Sequence, residues 1–340
     1  MDSFSALLLC AGLGNRLRPL TDIVPKPLVP LLDIPMARHA FEALRRAGAT
    51  SVFVNAHHLG DQVAAALPEW AADGAGSHVT TRVIIEPELL GTAGGIRNLW
   101  DAAGAPQQTL VIHNGDVVLN APIEALLAHH RATGALATLL TIPAIPGEGE
   151  VWVDASRNVA QLPGHRQPFR GPDATPVSRV SFAGVMVLEP RLVERLSPTP
   201  SCIIRDGLGP AIAAGERVAS MEHSGFWADV GTPMRLLQAT WELLEHPDPW
   251  PLPVSRPDGL WLREGERAGQ GTSVIDGPAY VSSSAELGEA IRVGPLAVIG
   301  AGARVLDGSR VRECILMDGS TTEGDVQRRI SLQRQVMRTG

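Results

Sequence analysis

The chain has 340 residues, of which 44% are hydrophobic, 19% charged and 4% aromatic, and its formal net charge is −7. This composition is typical of a folded protein and not of a disordered one, and the length predicts one large domain with a smaller one. The acidic balance argues against nonspecific nucleic-acid binding, and no apolar run reaches the roughly 18 residues of a membrane span.

The cysteines and the amino-terminal segment bear on the compartment. Cys10, Cys202 and Cys314 lie far apart and lack metal-ligand spacing. The apolar stretch Ala6–Gly12 is too short for the core of a signal peptide. We therefore expect reduced thiols and a cytoplasmic protein.

Residues 5–245 alternate short apolar runs with helical patterns. Strands are predicted at Ser5–Cys10, Ser51–Asn55, Arg82–Ile85 and Thr109–His113, and helices at Pro35–Ala47, Leu59–Leu67 and Gly94–Ala103. This alternation predicts a Rossmann-like, mostly parallel sheet covered by helices on both faces. Ligands bind such sheets beyond the carboxyl ends of the strands, where a glycine-bearing loop follows the first strand and Asp116 follows a later one.

Beyond residue 245 the pattern changes twice. Residues 246–271 are proline-rich and predict a linker or an extended packing segment. Apolar residues then recur at every sixth position, at Ile275, Val281, Leu287, Val293, Ile299, Val305, Val311 and Met317. This period predicts a left-handed parallel β-helix of two to three coils over 272–326, with each apolar residue in its interior, and a polar tail over 327–340.

The single lysine of the chain follows the first predicted strand. All but one of the 29 Lys and Arg residues are arginine, and Lys26 lies in the segment Pro25-Lys26-Pro27-Leu28. The preceding loop is neither a dinucleotide fingerprint nor a Walker loop. Its glycines, Gly12 and Gly14, allow backbone N–H groups to approach phosphate oxygens, and Arg16, Arg18 and Lys26 supply positive charge. These features predict a polyphosphate site.

Five motifs in order resemble those of the sugar-1-phosphate nucleotidyltransferases, which make nucleotide sugars and pyrophosphate from an NTP and a sugar 1-phosphate. They are the glycine loop with Pro25-Lys26-Pro27-Leu28, Leu90-Gly91-Thr92-Ala93-Gly94, Asn114-Gly115-Asp116, Phe182-Ala183-Gly184 and Trp227-Ala228-Asp229-Val230-Gly231-Thr232-Pro233. A carboxyl-terminal hexapeptide helix is also common in that family. The resemblance implies a catalytic domain over 1–245.

The resemblance also implies a role for each matching residue. The expected nucleotide contacts are Ala11, Gly12, Gly14, Asn15, Glu86, Gly91 and Thr92, and the expected catalytic residues are Arg16, Lys26 and Asp116. Asp116 and Asp229 would hold Mg²⁺, a hard cation that prefers carboxylate and phosphate oxygens. Arg16 would bind the β- and γ-phosphate oxygens, and Lys26 would neutralise charge on the α-phosphoryl group as the sugar phosphate attacks. Asp229 could instead cap a helix over Pro233–Leu244.

The sugar-phosphate side departs from the family pattern. Asn15 stands where the family usually has threonine, and the E-K-P segment whose lysine grips the sugar phosphate is missing. Arg166, Arg170, His165 or Arg205 could replace that lysine, and we select Arg205. The Phe182-Ala183-Gly184 motif implies that Gly184 also borders the sugar.

Glu86 carries the prediction of the base. A carboxylate at this position could accept hydrogen bonds from N1–H and from the 2-amino group of guanine, which favours GTP with mannose 1-phosphate. UTP with N-acetylmuramate 1-phosphate or another hexose 1-phosphate is one alternative, because a branch acting on the former also lacks E-K-P. A regulatory paralogue that binds a nucleotide sugar without turnover is the other.

Two remaining features are interpreted as structural. The adjacent pairs His57-His58 and His129-His130 cannot chelate a metal easily, so we predict surface or loop histidines. The predicted β-helix contains no histidine to serve as the base of an acyltransferase. We expect it to mediate homo-oligomerisation or to pack as a lid against the catalytic domain.

Overall fold

The computed structural model describes residues 4–72, 79–147, 149–162, 178–248, 250–332 and 336–338. Two compact units divide the chain. The first unit comprises Met1–Gly12 and Ala40–Trp227, and the second comprises Leu13–His39 and Ala228–Gly340. Within the described ranges, no helix has the length and apolar character needed to cross a bilayer.

Seven α-helices and thirteen strands lie in the described part of the chain up to residue 248. The helices are α1 (Met36–Arg46), α2 (Gly60–Ala72), α3 (Gly91–Ala102), α4 (Ile123–Thr133), α5 (Pro190–Val193), α6 (Gly209–Ala213) and α7 (Pro233–Glu245). The strands are β1 (Phe4–Leu9), β2 (Pro30–Leu31), β3 (Ile34–Pro35), β4 (Ala49–Ala56), β5 (Thr80–Ile85), β6 (Leu110–Asn114), β7 (Val117–Leu119), β8 (Ala137–Pro143), β9 (Glu150–Val153), β10 (Val159–Gln161), β11 (Ser178–Leu188), β12 (Val218–Glu222) and β13 (Trp227–Asp229).

The first unit is built on one twisted sheet. β1 is its central strand and pairs in parallel with β4 and β6, while β5 extends the parallel part beyond β4. β11 adds an antiparallel half, pairing with β6, β8 and β9, and β12 lies parallel to β8. The residues of β1 are apolar on both faces because helices cover both sides, and Leu7 and Leu8 are fully buried. The predicted fold class and all seven predicted elements of this region are confirmed.

Helix α3 packs on the sheet and brings its own amino terminus to the carboxyl ends of the strands. Ala93, Ile96 and Leu99 of α3 share a buried cluster with Leu7 of β1 and Ile112 of β6. Each fully buried leucine or isoleucine of such a cluster stabilises the fold by about 2 kcal/mol. The carboxyl ends of β1 and β6 are therefore held in place by the buried cluster that these strands share with α3.

Fourteen further strands belong to the second unit. They are β14 (Gly259–Leu262), β15 (Arg267–Ala268), β16 (Val274–Asp276), β17 (Ala279–Ser282), β18 (Glu286–Leu287), β19 (Arg292–Val293), β20 (Ala297–Ile299), β21 (Arg304–Val305), β22 (Arg310–Arg312), β23 (Cys314–Leu316), β24 (Thr321–Thr322), β25 (Asp325–Gln327), β26 (Arg329–Ser331) and β27 (Val336–Arg338). Strands β16 to β26 form three parallel sheets of stacked coils, ordered β16-β19-β22-β25, β17-β20-β23-β26 and β18-β21-β24. The predicted parallel β-helix is confirmed.

The six-residue period holds for the interior with two exceptions. Leu287 is 38% exposed, because it lies in the first coil, where β18 pairs with β21 alone among the described strands. Val281 pairs with Ile299, Ile299 with Leu316 and Leu316 with Ser331, so successive coils contain 18, 17 and 15 residues. Leu316, and not Met317, therefore joins the interior cluster. The prediction of two to three coils was also wrong, since three complete coils and two strands of a fourth are present.

The segments before and after the coils contain strands as well. β14 and β15 lie within 246–271 and pair antiparallel with the first-coil strands β17 and β16. β27 lies within 327–340 and pairs antiparallel with β26. The predicted domain boundaries at residues 245, 271 and 326 stay predictions.

Candidate active site

A cavity of about 240 Å³ lies at the carboxyl edge of the sheet in the first unit. Its lining includes Ala11, Gly12, Gly91, Thr92 and Asp116, all of them predicted site residues. β1 and β6 end in register at Leu9 and Asn114, and the Gly115 N–H donates to the Leu9 carbonyl at 2.8 Å. The loop after β1 and the turn that carries Asp116 are thereby fixed at one edge, as the sequence predicted.

Asn55 is a cavity residue that the sequence analysis missed. It accepts a hydrogen bond from the Cys10 N–H at 2.8 Å and donates one to Glu86 Oε1 at 2.7 Å. The amide therefore ties the loop after β1 to the end of β5. The signal was present, because Asn55 ends a predicted strand at the same edge of the sheet as Asp116.

Glu86 is hydrogen-bonded to the cavity residue Asn55 and is 2% exposed. Its Oε2 accepts a hydrogen bond from the Leu90 N–H at 3.3 Å, so protein donors contact both carboxylate oxygens. This carboxylate holds the turn that leads into α3. Its predicted recognition of guanine stays a prediction.

The glycines at the start of α3 allow a close backbone approach. Gly91 has φ +65°, and a Cβ there would lie 2.5 Å from the Ser201 carbonyl oxygen. A Cβ on Gly94 would overlap the Thr199 carbonyl oxygen. The Thr92 hydroxyl accepts a hydrogen bond from the Ile203 N–H at 2.9 Å. The first turn of α3 is thus held against residues 199–203, and this explains why the helix begins at Gly91 and not at the predicted Gly94.

We predict that two Gly→Ala substitutions affect different properties, one the nucleotide KM and the other the thermal stability. A Cβ on Gly12 would meet nothing within 4 Å, so Gly12→Ala should leave the melting temperature unchanged but raise the KM for the nucleotide about tenfold, if phosphate approaches this backbone. Gly94→Ala should lower the melting temperature by several degrees through its overlap with Thr199. Thermal unfolding and initial-rate kinetics of both variants check this. An unchanged nucleotide KM in Gly12→Ala would contradict the predicted phosphate contact.

Two of the recognised motifs meet through a tryptophan. Trp227 Nε1 donates to the Ala183 carbonyl at 3.0 Å. Gly184 has φ +88°, and a Cβ there would lie 3.0 Å from Val117 Cγ2, directly after the Asp116 turn. The predicted sugar-site glycine is therefore packed against the strand that follows Asp116.

In the second unit, cationic side chains surround Asp229. Lys26 Nζ lies 3.8 Å from Asp229 Oδ1, and Arg235 Nη1 lies 3.1 Å from Asp229 Oδ2. The guanidinium of Arg16 and Asp229 Oδ1 both border Gly231, since a Cβ there would lie 2.8 Å from Arg16 Nη2 and 3.3 Å from Asp229 Oδ1. Such a cluster is suited to bind phosphate oxygens. Arg235 was missed because its approach to Asp229 depends on the turn that precedes α7.

The loop that contains Lys26 is compact. Gly14 has φ +64°, and its carbonyl accepts hydrogen bonds from the Thr21 hydroxyl at 2.9 Å and from the Leu17 N–H at 2.8 Å. A Cβ on Gly14 would lie 3.1 Å from Lys26 Cβ. Lys26 itself is 6% exposed. The left-handed glycine is thus what allows the chain to fold over the lysine.

The structure also bears on the expectations for Asp229, Asn15, Arg16 and Arg205. The helix-cap alternative for Asp229 is wrong, because Thr232 caps α7 by accepting a hydrogen bond from the Arg235 N–H at 3.3 Å. Asn15 and Arg16 are exposed in a short 3-10 turn. Arg205 is exposed and forms an ion pair with the adjacent Asp206 at 2.8 Å, which lowers the pKa of that carboxyl. The other candidates for the missing lysine, His165, Arg166 and Arg170, lie outside the described residues.

The prediction that His130 is a surface histidine was wrong. Its ring is 2% exposed, with Nδ1 at 2.8 Å from Thr138 Oγ1 and Nε2 at 3.0 Å from Glu189 Oε1. Burial lowers the pKa of this imidazole, opposed by the hydrogen bond with Glu189. His130 joins α4 to β8 and to the end of β11. Its burial depends on hydrogen bonds with Thr138 and Glu189, which lie on other elements, so the sequence around His130 did not show it.

The donor chemistry of the cavity fits a divalent cation that binds together with a nucleotide. Among the described residues, no group of three or more His, Cys, Asp or Glu side chains could hold a metal ion. The cavity supplies the carboxylate of Asp116 beside the amide of Asn114. Mg²⁺ commonly binds one or two carboxylates and completes its shell with water and substrate phosphates.

Comparison with known proteins agrees with this arrangement. A family model described as Nucleotidyl transferase matches residues 5–246. Probable mannose-1-phosphate guanylyltransferase 3 of Oryza sativa subsp. japonica is 30% identical over 319 residues, covering 92% of this chain and 81% of the relative. The mannose-1-phosphate guanyltransferase of Schizosaccharomyces pombe is 30% identical over 236 residues, covering 69% and 63%.

The fold has a counterpart among solved structures. HddC from Yersinia pseudotuberculosis, crystallised in complex with GMP-PN, matches with a TM-score of 0.56 at 18% identity, covering 71% of this chain and 99% of HddC. At this identity the match concerns the fold alone. The family model covers more than half of the chain and includes the cavity and the Lys26–Asp229 cluster. The chain therefore belongs to the nucleotidyl transferase family, as a sugar-1-phosphate nucleotidyltransferase.

Proposed function

We propose that the enzyme transfers the guanylyl group of GTP to mannose 1-phosphate, giving GDP-mannose and pyrophosphate. The observation that carries this choice is the 30% identity, over 92% of the chain, to a relative named as a probable mannose-1-phosphate guanylyltransferase. In this reaction a phosphate oxygen of the sugar bonds to the α-phosphorus, and the bond to the bridging oxygen of pyrophosphate breaks. Positioning and charge neutralisation therefore account for most of the catalysis.

The roles of Lys26 and Arg16 follow from the negative charge that these phosphates carry during the reaction. Lys26 would neutralise the α-phosphoryl oxygens as negative charge builds up, and its compact ammonium suits a buried position. The exposed guanidinium of Arg16 would bind the β- and γ-phosphate oxygens as a planar fork. Ala11, Gly12, Gly14 and Asn15 would offer backbone N–H groups to the phosphates of the nucleotide.

We further propose that Mg²⁺ is the metal. Enzymes of this family generally use a divalent metal ion. Asp116 supports the assignment through its place in the cavity, and Asp229 through the family motif. When bound, the ion would screen the phosphate charges of the nucleotide. Arg205 would contact the sugar phosphate only after its ion pair with Asp206 opens.

A substrate panel tests the proposal. Purified protein with Mg²⁺ is assayed for pyrophosphate release with GTP, UTP, dTTP, CTP or ATP against mannose 1-phosphate, N-acetylmuramate 1-phosphate and glucose 1-phosphate. We expect release with GTP and mannose 1-phosphate, at a kcat/KM at least about a hundredfold above the other nucleotides. Release with UTP and N-acetylmuramate 1-phosphate would replace the proposed substrates. Absence of release in a folded protein that still binds a nucleotide sugar would instead indicate a regulatory paralogue.

A comparison of GTP with ITP tests the role of Glu86. ITP retains N1–H but lacks the 2-amino group of guanine. A preference for GTP over ITP that disappears in Glu86→Gln would assign recognition of the amino group to this carboxylate. A preference that persists would assign that recognition to other groups of the cavity and leave Glu86 as the residue that holds Asn55 and Leu90.

A further inference from the structure

The only tyrosine of the chain is an outward-facing residue of the β-helix that is nevertheless completely buried. Tyr280 lies on β17 between Ala279 and Val281, which both belong to the interior cluster. Because side chains alternate along a strand, the phenol points away from the interior. It is 0% exposed, and its ring centroid lies 4.8 Å from that of Trp261. Full burial on the outer face means that other parts of the second unit pack against it.

The hydroxyl of Tyr280 contacts the hairpin formed by β2 and β3, which we call the 30–35 hairpin. It donates to Asp33 Oδ2 at 2.8 Å and lies 2.7 Å from the Asp258 carbonyl. Asp33 is the second residue of the two-residue turn, between Leu31 and Ile34. A side chain of the first coil therefore holds the tip of a hairpin that lies almost 250 residues earlier in the sequence.

The turn of this hairpin needs such support. Leu32 and Asp33 have φ values of 52° and 60°, a conformation that two-residue hairpin turns favour but that is strained for a leucine. Leu32 is also buried, at 2% exposure. Burial raises the pKa of Asp33, while the hydrogen bond from Tyr280 opposes the rise. The first coil therefore holds the turn through the phenol of Tyr280.

The hairpin leads directly to the buried lysine. The Met36 N–H donates to the Val29 carbonyl at 3.2 Å and closes the base of the hairpin. Lys26–Leu28 form a 3-10 turn immediately before it, and Val29 is fully buried. From Asp33 to Lys26 the chain therefore consists of hydrogen-bonded or buried residues, with little freedom to move independently of the hairpin tip.

The partner of Lys26 is attached to the same coils. Asp229 precedes α7, and the indole of Trp241 on α7 donates to the Leu296 carbonyl at 3.2 Å, just before β20. The β-helix thus contacts both segments that meet at the 3.8 Å approach of Lys26 to Asp229.

We infer that Tyr280 and Asp33 are positioning residues for Lys26, and that the β-helix takes part in the reaction by fixing the place of this ammonium group. The inference rests on the proposed function for the role of Lys26, but not for the contact itself. It adds a catalytic contribution to a domain for which oligomerisation or a lid role was expected. A displacement of reacting groups by about 1 Å can cost a hundredfold in rate.

A double-mutant cycle tests this inference. Tyr280→Phe removes only the hydroxyl, and Asp33→Asn keeps the shape of the turn residue. We expect each to lower kcat about tenfold with the KM of both substrates changed less than about twofold. The double variant should be no worse than either single variant, because one contact is broken once. Trp250→Phe is the matched control, since it removes an aromatic hydrogen bond to the Val254 carbonyl that does not involve the hairpin.

A second measurement does not depend on activity. Incorporation of 3-fluorotyrosine labels one site, because the chain has a single tyrosine. Asp33→Asn should shift its ¹⁹F resonance, whereas Trp250→Phe should shift it less. An unmoved resonance in Asp33→Asn would overturn the contact. Wild-type kcat in Tyr280→Phe, or losses that add in the double variant and follow the melting temperature, would overturn the positioning role. An inactive wild-type protein with the expected ¹⁹F shift would count against the proposed function and not against the contact.

Discussion

Lys26→Arg should lower kcat by about two to three orders of magnitude although the charge is kept. The side chain of Lys26 is 8% exposed, with Nζ 3.8 Å from Asp229 Oδ1. Its stem packs beneath Gly14, where a Cβ would lie only 3.1 Å from Lys26 Cβ. A guanidinium is planar and larger than an ammonium, so it would push against Asp229 or turn away from the phosphate.

Steady-state pyrophosphate release with the preferred substrate pair measures this effect. The melting temperature is recorded alongside, so that a loss of folded protein is not mistaken for a loss of catalysis. Arg46→Lys is the matched control, because it makes the reverse exchange at an exposed position of α1. Turnover of Lys26→Arg close to that of the wild type would remove Lys26 from the catalytic residues.

Asp116→Asn should reduce kcat by about a thousandfold, the loss expected when a charged group that acts on the transition state is removed. Asp116 lines the cavity beside Asn114, and its turn is fixed by the hydrogen bond from Gly115 to Leu9. Asparagine keeps the shape of the side chain but loses the charge, so metal binding in the presence of nucleotide should weaken as well.

Two measurements separate the metal role from a structural one. Turnover is determined over a range of Mg²⁺ concentrations, and binding of Mn²⁺ with nucleotide is followed by its electron paramagnetic resonance signal. Asp61→Asn, at an exposed carboxylate of α2, serves as the control. Wild-type turnover and unchanged Mn²⁺ binding in Asp116→Asn would leave Asp116 with a structural role in its turn.

Four strands and three helices of the first 114 residues could be derived from the sequence because apolar runs and glycines mark them clearly, whereas the short strands β2 and β3 were not predicted. β1 and β4 each contain an uninterrupted apolar run, Ala6–Leu9 in β1 and Val52–Val54 in β4, because these parts of the strands lie in the core of the sheet. The antiparallel half of the sheet was not anticipated. β11 pairs with β6, β8 and β9, and which strands meet there depends on packing between segments distant in the chain.

The candidate site could be predicted where its residues come directly after the end of a predicted strand. Asp116 and Gly12 come directly after predicted strands, and parallel strands end at one edge of the sheet. Asn55 has the same signal but lay outside the recognised motifs. The neighbourhood of Asp229 could not be predicted, because Lys26 is about 200 residues away and Arg235 approaches through the turn capped by Thr232.

The antiparallel strands at the two ends of the β-helix limit where further coils could be added during evolution. β14 covers the outer edge of β17, β15 covers β16, and β27 covers β26. An exposed strand edge is a template for joining another chain, and a covered edge is not. A coil added by gene duplication at either end would therefore have to displace a terminating strand. A coil inserted between existing coils would displace no terminating strand. We therefore expect this solenoid to lengthen by insertion of internal coils.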